Sequence, residues 1–447
     1  MKYYIETFGC QMNDSDSVLI SGILQQSGHH KTENINDAQI IIVNTCCVRQ
    51  SAENKIMGFL GNLKHHKQAI IVACGCMVQK EGTVEKLTKS YNHVGILLGT
   101  FSLAKLPVYI EEYLAFGKKI IDVEERYDLG DLSKVHAEMC DIPQQEEKYR
   151  AQISIIYGCN NFCSYCIVPY VRGRERSRAP ELVLHDVHQA VQNGAKEIQL
   201  LGQNVNSYGN DLSEDWDFAA ILQEINKIEG IERIRYMTSH PRDFNSRLLD
   251  AIARSEKVCR HFHLPLQSGC DKILDSMNRG YKCDDCLHLI EEIRATFPSC
   301  SITTDLIVGF PGETEANFTE TLDFLSQLRL DAAYTFIYSV RSGTPAAKMT
   351  GQVSAAEKKS RLQRLMDRQN PISLYQNQKL VGTTMPIMIE GTSKNNDNTL
   401  SGRTDCNKIV LCSMPKDEAI KPGDIIDMKI TAAKTWTLYG EITKSGA

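Results

Sequence analysis

Cys159-Asn160-Asn161-Phe162-Cys163-Ser164-Tyr165-Cys166 spaces three cysteines as C-x3-C-x2-C, directly after a segment, 151–157, that reads as a β-strand. Three thiolates on one loop can hold three corners of a cubane iron–sulfur cluster and leave the fourth iron open to an outside ligand. Zinc would ask for a fourth protein ligand, and the neighbouring residues offer none. A loop that tops a strand of a β/α barrel lies at the face where such barrels place their chemistry.

Outward from this motif the chain alternates strand and helix patterns. Strands are expected at 151–157, 197–202, 234–238, 262–266, 301–309 and 333–339, with helices at 180–193, 217–227, 284–296 and 314–327 between them. Six such units in one block predict a partial or complete β/α barrel. Upstream, strands at 2–7, 39–44, 69–73 and a last one at 95–98 alternate with helices at 16–26 (led by the capping-type residues 13–15), 51–65 and 78–89, the pattern of a parallel sheet covered by helices. The acidic stretch 124–146 reads as a linker. Residues 355–369 form a charged amphipathic helix, which Pro371 should kink or restart. From 378 short strands (383–390, 408–412, 425–432 and 437–443) predict a small all-β domain, a five-stranded barrel. The expected layout is thus an α/β chain of three domains: 1–140, a parallel-sheet domain; 145–376, a partial β/α barrel; and 378–445, a small OB-like barrel.

The composition limits the function. A formal charge of −5, from 50 basic and 55 acidic residues, leaves nucleic-acid contact to local patches. No basic segment leads into a long apolar run at the N-terminus, and no run would cross a bilayer, so a cytoplasmic chain without membrane contact is expected. In a reducing compartment clustered cysteines among the 16 read as metal ligands. Cys10, Cys46 and Cys76 each follow a predicted strand, and loops at the carboxyl ends of a parallel sheet gather on one edge. A second cluster site follows, although Cys47 and Cys74 compete by register with Cys46 and Cys76.

The C-x3-C-x2-C loop, with Tyr165 before its last cysteine, resembles the radical S-adenosylmethionine (SAM) superfamily. The resemblance implies that the open iron chelates SAM and that electron transfer cleaves it to a 5′-deoxyadenosyl radical. It makes Cys159, Cys163 and Cys166 cluster ligands and Tyr165 a SAM contact. The segments ETFGCQMN (6–13), NTC (44–46) and GCM (75–77) resemble the cysteine motifs of the methylthiotransferase family and select Cys46 over Cys47 and Cys76 over Cys74. That family joins a cluster domain, a radical SAM barrel and a TRAM domain. The strings IVPYVRGRERSR (167–178), LLGQNVNSYG (200–209), TSHPR (238–242), HLPLQSG (263–269) and TTDLIVGFPGET (303–314), with Gly402-Arg403-Thr404 and Asn407-Lys408, resemble its MiaB-type branch, which makes 2-methylthio-N(6)-dimethylallyladenosine in tRNA. The implied reaction is methylthiolation at adenine C2 of position 37, next to the anticodon. It would use two SAM molecules and two [4Fe–4S] clusters in a monomer supplied by an electron donor such as flavodoxin or ferredoxin.

Further candidates lie at strand ends, where barrel side chains point into the active-site mouth: Gln203, Asn204, Ser239 and Gln267. Gly309 and Glu313 belong to a glycine-rich turn that could let the backbone approach a ligand. Arg172, Arg174, Arg176 and Arg178 would share one face if extended, a stripe suited to phosphate or to the SAM carboxylate, with Arg174 taken as the cofactor contact. A solvated basic face, and ordinary loop capping at the strand ends, are the alternative readings.

Overall fold

The computed structural model describes residues 1–48, 50–123, 149–213, 215–394, 396–415 and 420–443. The expected linker at 124–146 lies outside the described residues. The first unit is a six-stranded parallel sheet ordered β2-β1-β3-β4-β5-β6. Its strands are β1 (Lys2–Thr7), β2 (His30–Lys31), β3 (Ile40–Thr45), β4 (Ile70–Gly75), β5 (Val94–Leu98) and β6 (Ile120–Asp122). β3, β4 and β5 are buried along their whole length, as strands covered on both faces must be. Odd and even residues of β4 feed two separate cores: Ile71 and Ala73 face one, Ile70, Val72 and Cys74 the other.

Several boundaries differ from expectation. The strand at 94–98 is not the last: the helix Leu106–Phe116, closed by Gly117, leads to β6. The helix expected over 16–26 begins at Gln11, with Cys10 as its N-cap, so residues 13–15 lie inside the helix instead of ahead of it. The helix expected over 78–89 is broken at Lys80–Gly82 into Cys76–Gln79 and Thr83–Ser90.

The central unit holds two parallel three-stranded sheets. One is β7 (Arg150–Ser154), β10 (Glu197–Leu201) and β11 (Arg233–Tyr236); the other is β12 (His261–His263), β13 (Ser301–Val308) and β14 (Ala332–Ile337). A parallel bridge from Ile234 to Val258 continues the first sheet towards the second. The strand expected at 151–157 is divided, and its end, β8 (Ile156–Tyr157), pairs antiparallel with β9 (Arg176–Ser177). Helices missing from the sequence reading are Val168–Arg172, Ser246–Arg254 and Asp271–Ser276. The apolar core lies between strands and helices, with Ile153, Ile198, Ile234, Phe262 and Ile302 at its centre. The alternate strand residues carry charge: Glu197, fully buried, is bonded by Arg150 (2.6 Å) and Arg235 (2.7 Å).

The helix Ala355–Gln378 runs through Pro371 instead of ending there. Its buried face is held from both sides of the proline: Gln369 donates to Leu330 O (3.0 Å) and to Ser373 Oγ (2.9 Å), so the missing N–H at Pro371 is outweighed. The C-terminal unit is a closed five-stranded barrel, β15-β16-β17-β19-β18. These are β15 (Thr384–Ser393), β16 (Asn396–Arg403), β17 (Ile409–Ser413), β18 (Ile425–Ala433) and β19 (Leu438–Ile442); β16 was not anticipated.

Candidate functional site

The three N-terminal cysteines meet at the carboxyl edge of the sheet, as parallel topology demands. Gly9 makes the approach possible: a Cβ there would sit 2.7 Å from Cys46 Cβ. Two buried asparagines then clasp the loops. Asn13 Nδ2 donates to Asn44 Oδ1 and Thr45 O (both 3.0 Å), and Asn44 Nδ2 donates to Asn13 O (2.8 Å) and Ser17 Oγ (2.9 Å). Cys10 Sγ lies 3.5 Å from Asn13 Oδ1, and Val48 N–H donates to Cys46 Sγ (3.4 Å). Both asparagines stand inside the quoted cysteine motifs, and that was the only signal available for them in the sequence.

The competing thiols are close by but buried in the two cores of the sheet, and Cys47 shares its core with Cys76. Cys74 is inside β4, on the opposite face, with its sulfur 3.8 Å from Val43 O. Cys47 is fully buried in the apolar core beside Ile41 and Leu60.

Burial pushes the Cys76 thiol up to about 12 and raises that of Cys46, and the negative charge of neighbouring thiolates adds to each. In the barrel loop burial likewise raises Cys166 to about 12 and Cys159 to about 11, again with mutual repulsion among the three. Thiols gathered where their own ionisation is opposed are suited to a cation that replaces their protons. Among the described residues no three such side chains converge tightly enough to chelate a single metal ion. Three thiols in each set match the cysteine ligation of an iron–sulfur cluster with one iron left open.

Each set has a buried arginine on one sulfur. Arg279 Nη1 donates to Cys163 Sγ (3.1 Å), and Arg172 Nε donates to Cys76 Sγ (3.1 Å). Arg279 is 4% exposed.

A cavity of about 570 Å³ opens between the loops that carry the two sets. Val48, two residues past Cys46, lies on one wall, with Tyr165 and Cys166 on another. Gln267 joins them, its φ of 75° held by backbone bonds from its N–H to Asp305 O and from Ile307 N–H to its own carbonyl. Strain at a non-glycine residue persists only where the surroundings over-determine it.

The other sequence candidates are not brought to this cavity. Asn204 is a latch: its amide donates to Asp243 Oδ2 (2.5 Å) and its oxygen accepts His240 N–H (3.1 Å). Ser239 is buried, with no partner for its hydroxyl among the described residues. Gln203 is half-buried on the loop after β10. Gly309 does leave room for a close approach, but what packs over it is the Lys358 side chain, 2.3 Å from an added Cβ. Glu313 turns inward, accepting Gly309 N–H (2.7 Å) and pairing with Arg361 (2.8 Å). The arginine stripe does not form, because Arg172 ends a helix and Gly173 reverses the chain. Arg178 is buried on Asp186 (2.8 Å), and the guanidiniums of Arg174 and Arg176 lie over the rings of Phe162 and Phe101. Arg174 thus braces the cysteine loop.

The chain matches three family models: the Radical SAM superfamily over residues 153–325, Uncharacterized protein family UPF0004 over 2–99, and the TRAM domain over 378–443. It is 45% identical over 445 residues to the tRNA-2-methylthio-N(6)-dimethylallyladenosine synthase of Natranaerobius thermophilus, across 99% of this chain and 96% of that one. It is 46% identical to the synthase of the same name from Moorella thermoacetica, across 98% of each. The chain belongs to this synthase family. Solved structures similar to this family member include the radical SAM methyltransferase TsrM from Kitasatospora setae (TM-score 0.56, 13% identity, 77% of this chain and 74% of that one). Another is the cobalamin-dependent radical enzyme OxsB (TM-score 0.52, 12% identity, 83% and 57%). At such identities the shared property is the fold.

Proposed function

We infer that this chain puts a methylthio group on C2 of N(6)-dimethylallyladenosine at position 37 of tRNA. It is a radical SAM tRNA methylthiotransferase, and its cofactors are SAM and [4Fe–4S] clusters. In this reading Cys159, Cys163 and Cys166 hold the cluster that binds SAM, and Cys10, Cys46 and Cys76 hold the second. When bound, these groups supply the radical that activates the C2–H bond, and the sulfur and methyl group that replace the hydrogen.

The observation that carries the reading is the cavity between the barrel's cysteine loop and Val48 on the loop that follows Cys46. Its volume suits a substituted nucleoside. Ile167, Val168, Ile307, Phe336 and Ile337 give it an apolar side for the dimethylallyl group, while Gln267, Asp305 and Arg341 offer polar contacts to a purine. A base reaches it only by leaving the anticodon-loop stack. The protein's contribution is positioning: it holds the base in a cavity beside Cys166 and the loop that follows Cys46, where an unselective radical has few neighbours to attack. The C-terminal barrel is the RNA-binding module, in line with the habit of small barrels to bind RNA loops. The protein acts as a monomer, in the cytoplasm, with a flavodoxin or ferredoxin as reductant. No helix of the described residues is long and apolar enough to cross a membrane.

Mass spectrometry of tRNA nucleosides from cells lacking this protein tests the substrate. The dimethylallyl precursor should accumulate and its methylthio form vanish; unchanged methylthio nucleoside would refute the assignment.

A further inference from the structure

Arg172 leaves the barrel's own cysteine loop and serves the other one. It lies six positions beyond Cys166 on the short helix Val168–Arg172, yet its side chain crosses into the N-terminal unit. Nε donates to Cys76 Sγ (3.1 Å), and Nη2 bonds Asp16 Oδ2 (2.7 Å) on the helix that Cys10 caps. The side chain is 6% exposed, so Asp16 is needed to compensate a charge taken out of water. A second barrel arginine reaches the same edge: Arg341 donates to Val48 O and faces Glu53 (3.8 Å). The barrel thus lends two positive groups to this edge of the N-terminal unit.

We propose that Arg172 is a positioning residue for the N-terminal cluster. Its N–H donates to one ligand sulfur, and its charge stabilises the reduced, more negative form of that cluster, although its backbone belongs to the barrel. Hydrogen bonds to ligand sulfurs and local net charge are the protein's means of setting such a potential. The consequence is a built-in order: the N-terminal cluster has its full environment only when the barrel loop is docked. This rests on the ligand sets given above.

The test uses full-length, anaerobically reconstituted protein in two backgrounds. Cys163→Ala retains only the N-terminal cluster and Cys46→Ala only that of the barrel. Each is compared with and without Arg172→Gln and Arg172→Lys, by iron content and by redox titration followed with electron paramagnetic resonance. In the Cys163→Ala background Arg172→Gln should move the midpoint to more negative potential and lower the bound iron; Arg172→Lys, which keeps the charge, should recover part of the shift. In the Cys46→Ala background the barrel cluster's midpoint should not move. An unmoved N-terminal midpoint with full iron, or equal shifts in both clusters, would overturn the proposal. A Cys163→Ala parent that binds no cluster would instead overturn the ligand sets, and the proposal with them.

Discussion

Arg279 Nη1 and Cys163 Sγ stand 3.1 Å apart in the barrel interior, and the other two guanidinium nitrogens are bonded as well: Nη2 to Pro265 O (2.6 Å) and Nε to Tyr281 Oη (2.9 Å). The ring of Tyr165 shares this contact, its hydroxyl 3.5 Å from Nη1. Arg279 therefore ties the central cysteine of the motif to the end of β12 and to the aromatic residue beside the cavity. A lysine cannot reproduce a rigid fork of this kind. Arg279→Lys should lower 5′-deoxyadenosine formation by about 10- to 100-fold, the usual cost of losing an outer partner of a metal ligand. Anaerobic turnover with SAM and dithionite measures it; a rate within a factor of two of the parent would contradict it.

The two cysteine sets should divide the reaction. Cys163→Ala should abolish SAM cleavage. Cys46→Ala should still yield 5′-deoxyadenosine but no methylthiolated product. Chromatography of the nucleosides and of the cleaved cofactor reads both, and methylthio product from the Cys46→Ala protein would show that sulfur is delivered elsewhere.

The apolar wall of the cavity should select the modified base. Phe336→Ala removes a ring from that wall. The preference for dimethylallyl-tRNA over unmodified tRNA, taken as a ratio of kcat/KM, should fall by roughly 10- to 100-fold, the discrimination that apolar contacts of this size supply. An unchanged ratio would place the dimethylallyl group outside the cavity.

His240 should make the fold acid-sensitive. Burial, helped by Arg279 and Arg242, pushes its imidazole down to about 2, and neither ring nitrogen has a partner among the described residues. The unfolded chain takes up its proton near pH 6.5 and the native chain does not. Stability is therefore complete above about pH 6.5 and falls as the pH drops below it, by up to about 1.4 kcal/mol per pH unit. His240→Phe should flatten that slope. Guanidinium unfolding at pH 7 and pH 5.5 compares the two proteins; equal losses would remove His240 from the account.

The segment that holds Gly402-Arg403-Thr404 and Asn407-Lys408 docks the C-terminal barrel. Arg233 donates to Arg403 O (2.7 Å), Arg235 to Thr404 O (2.7 Å) and Asp405 O (2.9 Å), and Lys408 pairs with Asp331 (2.6 Å). In a double-mutant cycle, Lys408→Met and Asp331→Asn should couple by about 1.5–3 kcal/mol, the range for a charged hydrogen bond. Additive losses of stability would mean the pair is not holding the barrels together.

The local patterns of the chain settled much of this protein. Cysteine spacing on a single loop, C-x3-C-x2-C, needs no tertiary information, because the short tether from Cys159 to Cys166 limits where three thiols can go. The alternation of strand and helix likewise announced a parallel sheet and a partial barrel, since each apolar face must find a layer to cover it. Only the tertiary structure separates Cys74 from Cys76: β4 ends at Gly75, so Cys74 stays on the strand facing one core while Cys76 opens the next helix and faces the other. It alone turned four alternating arginines into two buried ties and two ring contacts, because Gly173 reverses the chain between them. The pairings of Arg172 with Cys76 and of Arg279 with Cys163 join residues 96 and 116 positions apart. Such contacts depend on how distant segments pack, the first of them on how the two units dock, and no local propensity encodes that.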